Sequence, residues 1–203
     1  MAKKNRRKIT LRKRKKSNNI RFSIGTLLLV ALMILFLILS TFVQLDVQFF
    51  KLDFKYIPQI PVVLFIAGLL GRKYGLLSII CYILLGLLVL PIFALGGGIK
   101  YVIEYGFGYV LAYLPALFLA SGILKNSCSY KNILKASIVG VLSIHLIGVL
   151  YMLFVASLKM NGYNFIGSWI VAQSGIKILY DIIYSVFALM IVRFIRPMLW
   201  FYK

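Results

Sequence analysis

The chain has 203 residues, of which 62% are hydrophobic, and its 24 Lys and Arg against four Asp and Glu give a formal net charge of +20. A mean hydropathy of +0.97 excludes a water-soluble globular fold, because no soluble core can hide so much apolar surface. Eleven of the basic residues lie in the first 21, directly before an apolar run, where anionic lipid headgroups attract them. We therefore expect a membrane protein whose tail contacts anionic lipids and binds no nucleic acid.

Six apolar segments follow along the chain and predict an all-α integral membrane protein with six transmembrane helices. They cover residues 22–43, 57–70, 76–94, 107–124, 133–158 and 171–195. The first is too long for the apolar part of a secretory signal, and no small-residue cleavage site follows it. The predicted organisation is a disordered basic tail over 1–21, a six-helix domain over 22–196 and a cytoplasmic end over 197–203.

Basic residues are distributed unequally between the two sides that these spans define. If both termini share one side, that side holds nineteen Lys and Arg, which outside the tail are Arg72, Lys73, Lys125, Lys131, Lys135, Arg193, Arg196 and Lys203. The other side holds Lys51, Lys55, Lys100 and Lys159. Because cytoplasmic loops are enriched in Lys and Arg, we predict cytoplasmic termini and a location in the cell membrane.

Proline and glycine interrupt the predicted spans at the outer face. Pro58 and Pro61 open the second span, Pro91 breaks the third, and three glycines follow at 96–98. The connection over 44–56 alternates aromatic and charged residues, as is typical of an interfacial segment. Irregular backbone at membrane depth is tolerated only where it is buried in protein or lines a water-filled cavity. These features predict a ligand pocket that opens to the outside.

Two ionisable residues lie inside the last span. Lys177 and Asp181 stand at i and i+4, and Ser174 precedes Lys177 by three residues, so one continuous helix would place them on one face. A charge in hydrocarbon costs at least about 2.5 kcal/mol, so such residues face a cavity or a partner. Either the two charges neutralise each other and support packing, or Lys177 is presented to an anionic ligand. Tyr109 and Tyr180 also lie within spans and are further candidates for ligand contact.

Enzymatic motifs are missing from the sequence. His145, the single histidine, lies in the fifth span, where a buried histidine more often makes a packing hydrogen bond than binds a ligand. The sequence contains no phosphate-binding glycine loop, metal-ligating histidine cluster or Ser-His-Asp set. We therefore expect no catalytic residue, no metal and no cofactor, and any ATP-driven step would need another subunit.

The central part of the chain resembles a known family. In order, it contains Ala-Gly-Leu-Leu at 67–70, a tight Gly-Arg turn at 71–75, Leu-Ser at 77–78, Tyr-x-Leu-Leu-Gly at 82–86, Leu-Pro-x-Phe-Ala at 90–94 and Gly-Tyr at Gly108 and Tyr109. These motifs resemble the BioY family, the biotin-specific substrate-capture subunits of energy-coupling-factor transporters. The resemblance implies biotin as the ligand, with a transmembrane coupling subunit and two ATPase subunits as partners.

The resemblance is weaker at the last span. The family pattern there resembles Pro-Gly-Asp-x-x-Lys, in which the Asp and Lys contact the substrate. In the aligned stretch at 172–177, Lys177 matches and Ser174 replaces the Asp, while Leu95 stands where a polar residue is expected after Phe-Ala. The resemblance thus implies either a divergent biotin binder or a pocket adapted to another small carboxylate, with Lys177 pairing with the carboxylate.

The leading prediction is a substrate-binding membrane subunit for vitamin uptake. Its candidate ligand contacts are Lys177, Ser174, Asp181, Tyr109, Gly108 and Tyr180. Two other classes stay open. One is a membrane enzyme acting on lipid, with Lys177 and Asp181 as an acid–base pair. The other is an assembly or regulatory protein that works through its basic tail.

Overall fold

The structure of the protein, a computed structural model, describes residues 24–49, 52–94, 96–159 and 166–199. Several sequence-based predictions lie outside these residues. They are the disordered tail over 1–21, the start of the first span at Phe22, the placement of Lys51 and Lys203, and the departure from the family pattern at Leu95.

Helices make up most of the described chain. In order, the elements are α1 (Ile24–Phe42), β1 (Leu45–Phe49), β2 (Leu52–Tyr56), α2 (Gln59–Leu88), α3 (Phe107–Ile123), α4 (Tyr130–Leu158), α5 (Ile166–Ser174) and α6 (Lys177–Ile195). Four helical stretches of the described ranges are long and apolar enough to cross a membrane, namely Ile24–Phe42, Gln59–Leu88, Tyr130–Leu158 and Ile166–Met198, and Phe107–Ile123 is apolar but shorter. The chain is a multi-pass membrane protein.

A glycine folds α2 back on itself. Gly71 has a φ of 67° and a ψ of −167°, so it interrupts an otherwise continuous helix. Gln59 and Tyr82, 23 positions apart, are joined by a hydrogen bond of 2.9 Å, whereas a straight helix would separate them by roughly 35 Å. Residues 59–70 form the first arm of α2, and residues 72–88 form the second arm, which runs back beside it. The second arm ends at Leu88 rather than at 94 as predicted, because the chain turns just before Pro91, which has no N–H to continue a helix.

The connection between α1 and α2 is a β-hairpin, so the prediction of an all-α chain is wrong here. β1 and β2 pair antiparallel, with Leu45 opposite Tyr56 and Phe49 opposite Leu52. Their sequences, LDVQF and LDFKY, alternate between apolar and polar residues, and this period of two favours a strand over a helix. The hairpin places Tyr56, which is 1% exposed, next to the first turn of α2.

The last predicted span is also interrupted. α5 ends at Ser174 and α6 begins at Lys177, so the prediction of one helix over 171–195 is wrong at the two residues between them. The Gly175 N–H still donates to the Val171 carbonyl at 2.9 Å, whereas the Ile178 N–H reaches back only three residues, to Gly175, at 3.4 Å. Glycine has low helix propensity and relaxes the geometry at this point. The break makes Lys177 the first residue of α6.

Two glycines allow α3 and α4 to pack closely. A Cβ atom at Gly108 would collide with the ring of Tyr151, and a Cβ atom at Gly148 would collide with the ring of Tyr109. Each helix therefore contributes one glycine that accommodates a tyrosine from the other, as small residues do at helix–helix contacts in membranes. This packing fixes the position of Tyr109.

Charged residues collect at opposite ends of the bundle. Near the end of α6, Arg193 Nη1 donates to the Cys128 carbonyl at 3.2 Å. Arg196 lies beside the same loop, which connects α3 to α4. At the other end, Lys159 Nζ lies 3.8 Å from Glu104 Oε2. These are the groups that the charge distribution assigned to opposite sides, and we call the end with Arg193 and Arg196 the basic end.

Replacing Gly71 with alanine should destabilise the fold by about 1–3 kcal/mol, because its backbone conformation is essentially confined to glycine. Thermal unfolding of the purified protein in detergent measures the effect. Gly167→Ala is the matched control, since Gly167 is helical and exposed and a Cβ atom there meets nothing within 4 Å. The control should keep or raise the midpoint. An unchanged midpoint for Gly71→Ala would contradict the role given to this turn.

Candidate ligand-binding site

A cavity of about 440 Å³ lies between the hairpin, the first arm of α2, α3, α5 and α6. Its volume is in the range of small-molecule sites, about 300–1,000 Å³. Apolar lining comes from Ile57, Ile60, Ala94, Val110 and Ala172. The polar side chains that line it are Gln44, Tyr56, Gln59, Tyr101, Tyr109, Tyr113, Gln173, Lys177 and Asp181. Apolar walls with a few polar side chains are typical of a site that orients a small, partly apolar ligand.

Asp181 is held by hydrogen bonds from two other elements. Tyr56 Oη donates to Oδ1 at 2.8 Å, and His145 Nε2 lies 3.1 Å from Oδ2. Asp181 is 3% exposed and His145 is 4% exposed, and a buried carboxylate is stable only when it has such partners. Burial, together with the nearby Asp181 carboxylate, raises the pKa of Tyr56 above its ordinary value. The Tyr56 hydroxyl therefore stays protonated and can act as the donor.

The hydrogen-bond network continues from His145 to α3. His145 Nδ1 lies 2.9 Å from Ser174 Oγ, and Ser174 Oγ lies 2.6 Å from Tyr109 Oη. The five-residue network is thus Tyr56, Asp181, His145, Ser174 and Tyr109. The prediction that His145 makes packing hydrogen bonds is confirmed, because both of its ring nitrogens have partners. A fully satisfied network in a low-dielectric interior is rigid, so it fixes one arrangement of the cavity wall.

Lys177 lines the same cavity but forms no ion pair within 4 Å with any carboxylate that the structure describes. Both oxygens of Asp181 are engaged by Tyr56 and His145 instead. The direct Lys177–Asp181 pair that the self-neutralising alternative requires is therefore not formed. Lys177 is half-buried and is the first residue of α6.

The structure brings four of the predicted contact residues together. Lys177, Asp181 and Tyr109 line the cavity. Ser174 lies behind the wall, 6% exposed, and connects Tyr109 to His145. Because its hydroxyl is engaged on both sides, Ser174 contributes by holding Tyr109 in place.

Gly108 and Tyr180 are not among the residues that line this cavity. Gly108 packs against Tyr151, where its missing side chain allows α3 and α4 to approach. The ring of Tyr180 lies beside that of Tyr56, with 6.2 Å between the ring centroids. Contact of these two residues with a ligand stays a prediction.

The sequence patterns do not single out Tyr56 and Gln59, which both line the cavity. Gln59 is 8% exposed, and its Nε2 donates to Thr41 Oγ1 at 2.6 Å and to Tyr82 Oη at 2.9 Å, while its Oε1 accepts from Tyr113 Oη at 3.0 Å. An amide at the start of an apolar span was an available signal, since a buried glutamine needs hydrogen-bond partners. The role of Tyr56 depends on the hairpin, which the sequence analysis treated as an interfacial segment.

Replacing Tyr56 with phenylalanine should lower the free energy of unfolding by about 1–3 kcal/mol, because a buried Asp181 oxygen loses its donor. Tyr184→Phe is the matched control. It removes the same atom from a ring that stacks on Tyr56 with 5.3 Å between centroids and is 40% exposed. Thermal unfolding of the unliganded protein should show a clear loss for Tyr56→Phe and a shift within about 0.5 kcal/mol for the control. Equal shifts would show that the bond to Asp181 does not stabilise the fold.

Known proteins resemble this chain in sequence. The BioY family matches residues 12–200. A protein described as a probable biotin transporter BioY from Lysinibacillus sphaericus is 34% identical over 103 residues, which cover 49% of this chain and 53% of that protein. A protein of the same description from Pyrococcus horikoshii is 39% identical over 89 residues, covering 43% of this chain and 52% of that protein. The alignments thus span about half the length of these curated relatives.

The fold is also similar to a solved structure, the crystal structure of an S-component for biotin from an ECF-type ABC transporter. The TM-score is 0.67 at 25% sequence identity, and the match covers 86% of this chain and 92% of that chain. The helical bundle described above is therefore an S-component membrane fold. Since the family match extends over nearly the whole sequence, the chain belongs to the BioY family.

Proposed function

We propose that the protein is the substrate-binding membrane subunit of an ATP-driven vitamin uptake transporter and that its ligand is biotin. The observation that carries this proposal is the placement of Lys177, which lines a cavity of about 440 Å³ and has no carboxylate partner within 4 Å in the described part of the chain. An uncompensated charge in a membrane protein is costly. A small molecule with a carboxylate supplies the missing charge.

The cavity suits a ligand with an acidic end and an apolar body. Lys177 would form a charge-assisted hydrogen bond to the carboxylate, which is about twice as strong as a neutral one. Because Lys177 is the first residue of α6, the positive end of the helix dipole adds to the attraction for an anion. Ile57, Ile60 and Val110 would pack against the apolar part of the ligand.

Asp181 would support Lys177 without touching the ligand's carboxylate. The Asp181 carboxylate lies one turn along α6 from Lys177. The oxygens of Asp181 are hydrogen-bonded to Tyr56 and His145. Asp181 therefore would not rotate to pair with Lys177 and compete with the ligand for its amine. Removing either holding residue would allow that competition, which gives the buried network a role in binding as well as in stability.

The proposed topology has six membrane crossings, made by α1, the two arms of α2, α3, α4 and the α5–α6 pair, with both termini in the cytoplasm. The concentration of Lys and Arg at the basic end supports this orientation. The cavity, which lies toward the opposite end with Tyr101 in its wall, would then open to the outside of the cell membrane.

The partners we propose follow from the likeness to an S-component of an ECF-type transporter. They are a transmembrane coupling subunit and two ATPase subunits, and the sequence itself carries no nucleotide-binding motif. This chain would therefore capture the vitamin and not act as an enzyme. The basic tail would contact anionic lipids at the cytoplasmic surface.

Replacing Lys177 with methionine should weaken biotin binding about tenfold to a hundredfold. A hydrogen bond to a charged group contributes about 1.5–3 kcal/mol, and 1.4 kcal/mol corresponds to a factor of ten in affinity. Titration calorimetry on the purified protein in detergent measures the dissociation constants. Lys100→Met is the control, because Lys100 is exposed and lies outside the cavity lining.

A biotin amide, which lacks the carboxylate, should bind the wild type and Lys177→Met with equal affinity. Unchanged biotin affinity in Lys177→Met would contradict the proposed contact between Lys177 and the ligand carboxylate. The wild type could instead bind another small carboxylate and not biotin. If Lys177→Met then loses that binding, the role of Lys177 is supported and biotin is excluded as the ligand.

A further inference from the structure

A second cavity lies at the basic end of the bundle. It has a volume of about 650 Å³, and four basic residues line it, Arg72, Lys73, Lys125 and Arg196. The first arm of α2 runs from Gln59, in the wall of the ligand cavity, to Leu70, in the wall of this one. The two cavities are therefore separated by roughly 17 Å of helix. We call the second one the basic cavity.

In the described part of the chain, Arg72, Lys73 and Lys125 form no ion pair with a carboxylate. The whole sequence contains four acidic residues, Asp46, Asp53, Glu104 and Asp181. Asp46 and Asp53 belong to the paired strands of the hairpin, Glu104 lies beside Lys159, and Asp181 lines the ligand cavity. All four lie toward the end of the bundle away from the basic cavity. The like charges of Arg72, Lys73 and Lys125 repel each other around one cavity, so an anion bound there would stabilise them.

The two guanidinium groups are held in the cavity wall. Arg72 Cζ lies 3.8 Å from the centroid of the Phe118 ring, and a Cβ atom at Gly122 would lie 2.7 Å from Arg72 Nη2. The glycine therefore makes room for the guanidinium against α3. Arg196 Nη1 donates to the Leu124 carbonyl at 2.6 Å. Groups fixed in this way lose little conformational freedom when they bind an anion.

We propose that the basic cavity binds the phosphate group of an anionic phospholipid headgroup. Guanidinium groups match phosphate oxygens in geometry, and lysine ammonium groups add charge. Basic pockets between transmembrane helices near the membrane surface are known to bind anionic headgroups. Inorganic phosphate offers the same chemistry from a different source. This proposal does not rest on the identity of the ligand in the first cavity.

The test is a titration of the delipidated full-length protein in neutral detergent, followed by native mass spectrometry. The probes are dioctanoyl phosphatidylglycerol, dioctanoyl phosphatidylcholine and inorganic phosphate. The test variant is Lys73→Gln with Lys125→Gln, and the control is Lys131→Gln with Lys135→Gln. Each variant removes two charges from exposed residues near the basic end, but the control pair is on α4 and outside the cavity lining.

We expect phosphatidylglycerol to bind the wild type more tightly than phosphatidylcholine. Its affinity should fall at least tenfold in the test variant and less than twofold in the control. Binding of inorganic phosphate with the same dependence on the two lysines would support the phosphate site and identify the free anion as a ligand. Equal losses in both variants would overturn the proposal, because they would show general attraction to charge. Failure of the wild type to bind either phosphate probe would overturn it as well.

Discussion

The hydrogen bonds that hold Asp181 are the constraint on which the ligand-binding site depends. Tyr56 and His145 each engage one carboxylate oxygen, so the only carboxylate near Lys177 in the described structure is already satisfied. Lys177 lines the cavity and has no ion pair with a described carboxylate. In the function we propose, this polar network keeps Lys177 available for an incoming anion.

Each irregularity of the backbone contributes a part of this arrangement. The hairpin brings Tyr56 to Asp181, although the two are 125 positions apart in sequence. The turn at Gly71 folds α2 so that Tyr82 meets Gln59 at the cavity wall. The break after Ser174 makes Lys177 the first residue of α6. Regular helices form the frame, and the hairpin, the turn at Gly71 and the break after Ser174 place the side chains that line the cavity. Of these features, the turn at Gly71 has a backbone conformation that is essentially confined to glycine.

The sequence predicted the frame well and the site in part. Long apolar runs predicted α3 almost to its ends and α1 over its described length, since length and hydropathy decide a membrane helix. The cost of a charge in hydrocarbon predicted that Lys177 and Asp181 face a cavity or a partner, and both line the cavity. The hydrogen bond from Tyr56 to Asp181 was not predictable, because it depends on the pairing of β1 with β2. The short segment 44–56 does not determine that pairing by its own sequence. The break at Gly175 was also missed, since an apolar run with one glycine is compatible with a continuous helix.

The crystal structure of the protein with biotin bound tests the central claim most directly. We expect a carboxylate oxygen of the ligand about 2.7–2.9 Å from Lys177 Nζ, with Asp181 still hydrogen-bonded to Tyr56 and His145. A ligand carboxylate remote from Lys177, together with an Asp181 that has turned to pair with that amine, would contradict it.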